Sequence, residues 1–152
     1  MNTVAMKPDK VISTINSLIE LNRDAQKGFQ EAAEKIVALD FKNFCFEQSR
    51  VRARFVGELQ PEVHALGSEP ENTGTIAGAL HRGWIDLKSA LGGGDHAILT
   101  ATETGEDSAM KEYKEALEEA LPAPLREIVE RQFQSVKQTH EKIKGMRDSL
   151  NN

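Results

Sequence analysis

From Val11 onward, one face of the sequence repeats at helical spacing. Val11, Ile15, Leu18, Asn22, Ala25, Phe29, Ala32, Ile36 and Leu39 follow steps of four and three residues. An α-helix brings such positions to one side, and a stripe of about four heptads cannot be buried by the helix that carries it. Partner helices are required, so the chain predicts a helical bundle. Ile12, Ile19, Gln26 and Ala33 widen the seam. Asn22 and Gln26 interrupt it one turn apart, either as a mutually satisfied amide pair that fixes register or as contacts to a polar site inside the bundle.

The remaining elements read in order. Pro8-Asp9-Lys10 opens the first helix, and Asp40 marks the turn after it. The second helix is expected from Phe41 to Leu66, with Phe44, Cys45, Gln48, Val51, Phe55, Leu59 and Val63 on its inner side. So short a connection implies an antiparallel hairpin. Within that helix, Glu47 to Arg54 alternates cations with other residues; this reads as a solvated face, with an arginine that neutralises an interior carboxylate as the alternative. Gly67 stands at a helix C-terminus. A third helix is predicted over Thr75 to Leu91, its Gly78 and Gly83 suggesting close backbone approach, and His81-Arg82-Gly83-Trp84 reads as a packed corner. Gly92-Gly93-Gly94 breaks the chain, Asp95 is the expected N-cap, and a fourth helix should run to Leu121. Pro122-Ala123-Pro124 begins the last, whose stripe is Leu125, Val129, Phe133, Val136, His140 and Ile143.

Composition narrows the class. A length of 152 residues suits one domain, spanning 1–152, with a real core. A net charge of -5 argues against nucleic acid and anionic membranes as partners. The single Cys45 rules out an internal disulfide. No run of apolar residues is long enough to span a membrane, and no signal-peptide pattern is visible, so a cytoplasmic location is expected.

The fourth helix carries the chemistry. Leu99, Glu103, Glu106, Met110, Tyr113 and Leu117 share a face, which points two carboxylates inward. A buried ionised carboxylate needs a cation, donors or a proton. If the last two helices form a hairpin turning near residues 121 and 122, His140 lies level with Glu103, and Glu106 lies opposite Lys137. A Glu-Glu-His cluster would suit iron, manganese or zinc, and would equally suit a buried polar network. Di-metal bundles carry Glu-x-x-His motifs. The residues three before His64, His81, His96 and His140 are Pro61, Gly78, Gly93 and Lys137, so the motif is absent. Neither a phosphate-binding loop nor a dinucleotide fingerprint nor a hydrolase signature is present.

The segments AQKGFQEAAE (25–34), EQSRVRARFVGELQ (47–60), GTIAGALHRGWIDLK (74–88), ETGEDSAMKEYKEAL (103–117) and RQFQSVKQTHEKIKGMRD (131–148) resemble a bacterial family of unknown function classed with the ferritin-like bundles. The resemblance implies an all-α, ferritin-like four-helix bundle with an additional helix between the second and third bundle helices, here Gly74 to Leu91. Glu103, Glu106, Asp107 and His140 match the family pattern, while Ala101 stands where that pattern carries another acid. Such a topology would set the level of Glu103 beside Glu31 or Glu34 of the first helix, and beside Glu47 or Arg50 of the second. Glu47 would then be a further metal ligand, or Arg50 would replace the metal's charge.

Two readings follow. The first is a non-enzymatic bundle with a protein-interaction or stress-related role, its inward carboxylates and His140 forming a buried polar cluster. The second is a divergent metal protein that binds iron or manganese through Glu103, Glu106, His140 and Glu47, with oxidoreductase or storage activity. The missing Glu-x-x-His places the first ahead. Self-association into a homo-oligomer is compatible with both.

Overall fold

The computed structural model describes residues 6–68 and 83–150, which are helical apart from their connections. Helix α1 spans Pro8–Lys35, α2 Leu39–Ala65, α3 Leu87–Ala90, α4 Asp95–Leu117 and α5 Ala123–Ser149. Every position of the predicted α1 stripe from Val11 to Ile36 is buried. Leu39 is the exception: the backbone turns extended at Ile36, three residues form the link, and Leu39 starts α2 with 68% of its surface exposed. The turn therefore precedes Asp40 instead of falling on it.

Asp95 does a different job from the expected one. Gly94, at a φ of 89° that L side chains rarely adopt, is the N-cap of α4. The Asp95 carboxylate reaches across to the α1–α2 link, accepting the Val37 N–H at 2.8 Å and the Ala38 N–H at 2.9 Å. It thus caps the start of a helix distant in sequence. Asp95→Ala is expected to lower stability by about 1 kcal/mol, as loss of a cap does, read as a lower urea midpoint with an unchanged denaturant slope.

At its other end α4 stops at Leu117 instead of Leu121. Arg126 Nη2 donates to the Leu117 and Glu119 carbonyls at 3.0 and 2.6 Å, holding the terminal acceptors that a continuing helix would have used. The predicted helix from Thr75 lies outside the described residues up to 82. From Gly83 onward the continuous helix is not observed: Gly83 takes φ 88°, the chain turns through Trp84, and only Leu87–Ala90 is helical.

Side-chain pairings set the topology. Lys10 and Thr14 meet Glu119, Asn22 meets Tyr113, and the Val37 amide meets Asp95, so α1 and α4 run antiparallel. Glu58 meets Arg131 and Gln48 meets Thr139, so α2 and α5 do likewise. With α1–α2 and α4–α5 as hairpins, their turns lie at opposite ends and α2 is parallel to α4. The end of α2 and the start of α4 therefore lie at opposite ends of the bundle, about 40 Å apart along its axis for helices of 27 residues at about 1.5 Å per residue.

The core falls into two apolar clusters. One gathers Val11, Ile15, Leu18, Leu59, Val63, Tyr113 and Leu125 towards the α4–α5 turn. The other gathers Phe29, Ile36, Cys45, Trp84, Leu87, Ile98 and Ile143 towards the α1–α2 link. Between them lie buried polar residues, including Asn22 of α1, Arg52 of α2, Glu106 of α4 and Thr139 of α5. Burial pushes the Cys45 thiol up to about 12, which keeps it protonated and unreactive at neutral pH. No helix among the described residues is long and apolar enough to cross a membrane.

Candidate functional site: a polar layer inside the bundle

The inward stripe of α2 is Cys45, Ser49, Arg52, Val56, Leu59 and Val63, and that of α4 includes Leu99, Thr102, Glu106, Ala109, Tyr113 and Ala116. Arg52 and Glu106 therefore meet across the bundle, both side chains fully buried, with Arg52 Nη2 donating to Glu106 Oε2. The guanidinium carbon stands 5.7 Å from the centre of the Phe29 ring, a cation–π contact that returns part of its lost hydration. Burial drives the Glu106 carboxyl above its ordinary value; the charge and hydrogen bond of Arg52 pull the other way without cancelling the effect. Glu106 Oε1 and Arg52 Nε and Nη1 have no hydrogen-bond partner among the described residues.

Two helical turns further along α4, Tyr113 is the hub of a second polar group. Its hydroxyl accepts from Asn22 Nδ2 at 2.7 Å and donates to Gln132 Oε1 at 2.6 Å. Gln132 Nε2 in turn donates to Glu58 Oε1 at 2.9 Å, and Glu58 pairs with Arg131. This chain of bonds touches α1, α4, α5 and α2. Burial also raises the Tyr113 phenol well above its usual range, so the hydroxyl keeps its proton and remains a donor. Asn22 thus takes the second of its two expected roles: its amide donates to Tyr113 and to the Leu18 carbonyl at 2.8 Å.

The expected metal ligands are distributed differently. Glu103 and His140 do come together, with His140 Nε2 3.7 Å from Glu103 Oε2, as equal distance from the turn predicts. His140 Nε2 is closer to Asp107 Oδ1, at 2.6 Å, and Glu103 is bound by Arg147. Glu106 turns inward to Arg52. Glu47 lies on the surface, paired with Arg50 at 3.0 Å. Each carboxylate of the proposed set already holds an arginine, and among the described residues no three His, Cys, Asp or Glu side chains are grouped to hold a metal ion.

The arginine that matters is Arg52, not Arg50. In the sequence alone Arg52 does not stand out, because Arg50, Arg52 and Arg54 look alike in a row. Its signal was rotational: Arg52 lies three residues after Ser49 and four before Val56, on the only α2 stripe that stays buried throughout.

Trp84 closes this region. Its indole lies between α1 and α4 at two glycines, and a Cβ built on Gly28 or on Gly105 would fall 2.3 Å from a ring carbon. Any side chain at either position would collide with the ring. Phe29 meets the indole edge-on, centroids 5.2 Å apart, so Trp84, Phe29 and Arg52 stand in sequence towards Glu106. Gly83 supplies the left-handed backbone that turns the ring inward, and its own Cβ would meet Ser108 Cβ at 2.7 Å.

Among curated proteins, none matches the chain. Residues 10–119 match a family model described as a domain of unknown function, DUF2383, a stretch that holds Gly28, Arg52, Trp84, Gly105, Glu106 and Tyr113 but ends before His140 and Arg147. With well over half its length in that match, the chain belongs to the DUF2383 family.

Proposed function

We propose that the protein is a ferritin-like bundle whose interior cation is an arginine, and that it serves as a non-enzymatic structural or protein-binding module. The observation that carries this reading is the Arg52–Glu106 pair, fully buried on both sides. In bundles of this type inward carboxylates are neutralised by metal ions at mid-height; here a guanidinium fixed to α2 supplies that positive charge. The parallel α2 and α4, with one connection returning the bundle's length, support the ferritin-like arrangement. Glu106 and Tyr113, two acids of the layer whose ionisation burial opposes, are sealed from solvent and bonded to protein groups. That is an arrangement for holding helices together, and it offers no substrate-facing acid or base.

The competing reading has iron or manganese held by Glu103, Glu106, His140 and Glu47, of which Glu103 and His140 stand together at the bundle's edge. Loading with Fe(II) or Mn(II), removal of free ion and elemental analysis separates the two. Substoichiometric metal, unchanged in Glu103→Ala and His140→Ala, is the expected result. One or two ions per chain, lost in both variants, would overturn the proposal.

A further inference from the structure

The Trp84 indole is the sole wedge between α1 and α4 beside the interior charge pair among the described residues, and its surroundings oppose one another. Its docking buries a large aromatic surface, which favours the inserted state. The same docking leaves polar atoms sealed without partners among the described residues: Trp84 Nε1, Glu106 Oε1, and Nε and Nη1 of Arg52. Unpartnered buried polar groups favour any state that admits water. The wedge also binds by shape alone. Both helices meet it with glycine, so the slot is flat-walled and its occupant is held by packing, with no hydrogen bond from the indole to a described residue. The backbone that presents it is a turn at Gly83 followed by the four-residue α3, which can detach without breaking the long helices. Favourable apolar burial set against a sealed polar cluster is the composition of a local two-state element.

We propose that Trp84 is a latch: its indole docks between Gly28 and Gly105, and its release admits water to the Arg52–Glu106 pair while the four long helices stay folded. The latch is independent of whether the bundle binds metal, since it requires only the ring, the two glycines and the buried pair. Its consequence is a switchable interior. Docked, the charged layer is dry and rigid; released, the guanidinium and carboxylate become accessible through the α1–α4 groove.

Trp84 is the only tryptophan, so its emission reports the latch directly. Urea titration followed by Trp84 emission and acrylamide quenching, alongside far-UV circular dichroism, is the test. The proposal expects the emission to shift red and become quenchable at lower urea than the loss of helix. In Arg52→Met/Glu106→Met, which removes the sealed charges, the emission transition should move up towards the helix transition. Gly105→Ala, whose Cβ displaces the ring, should show red, quenchable emission in buffer with helix content retained. Coincident transitions in the wild-type protein would overturn the latch. So would an unmoved emission transition in a folded double variant, or blue, protected emission in folded Gly105→Ala.

Discussion

Arg52→Met is expected to cost about 3–5 kcal/mol at neutral pH, the largest loss from any single polar substitution in this bundle. The substitution keeps most of the buried length of the side chain but strands Glu106, fully enclosed, without its counter-charge. The pH dependence identifies the cause. Burial already holds the Glu106 carboxyl above its ordinary 4.5, and Arg52 supplies the two strongest opposing influences. Without Arg52 the carboxyl rises further. Between 4.5 and that raised value the folded protein keeps a proton that the unfolded chain has released, so stability falls as pH rises through the window. The penalty of Arg52→Met should therefore be greatest near pH 7 and shrink as the pH is lowered towards 5. Urea midpoints of both proteins at the two pH values measure it. An equal penalty at both would show that a stranded carboxylate is not its source. Arg52→Met/Glu106→Leu, which removes both charges, should recover most of the loss, because an apolar pair of similar volume carries no desolvation cost.

Tyr113→Phe should cost about 2 kcal/mol, with a lower urea midpoint and an unchanged slope. The ring stays and the packing with it; what disappears is the hydroxyl that joins α1 to α5. Gln132 Oε1 loses its donor inside the protein, and Asn22 Nδ2 keeps only its bond to the Leu18 carbonyl. Orphaned buried groups, more than the lost bond itself, set the magnitude. A loss of only a few tenths of a kcal/mol would mean that both amides find new partners by shifting, and the layer would then be looser than its geometry indicates.

The arrangement of helices is legible because the long ones have a periodic apolar face and, apart from the 36–38 link, the breaks between them carry glycine or proline. For α1 the predicted stripe and the buried stripe agree from Val11 to Ile36. In α2 and α5 apolar periodicity points to neighbours of the polar residues that occupy the true inner face. Val51 attracts attention where Arg52 is buried, Phe133 where Gln132 is, and His140, continuing that apolar stripe, where Thr139 is. Hydrophobicity marks a helix face only when the core is apolar, and this core has a polar layer at mid-height. The same bias sets Glu103 on the inward face with Glu106, although Glu103 lies on the flank and binds Arg147. The glycines tell a similar story. Gly28 and Gly105 look like ordinary weak points in helices, and only the ring that crosses them shows what they accommodate.

The diagonal pair also sets an order of assembly. Each hairpin closes through a link of a few residues, so its contacts are local and cheap in chain entropy. Arg52 and Glu106 are 54 residues apart and belong to different hairpins. Their union waits until the two hairpins have packed together and set α2 and α4 diagonally opposite one another. A bond made so late is expected to be absent from the folding transition state, so Arg52→Met should speed unfolding more than it slows folding, as stopped-flow rates in urea would read. On that expectation the buried charges set how long the finished bundle lasts, and the apolar stripes set how fast it is built.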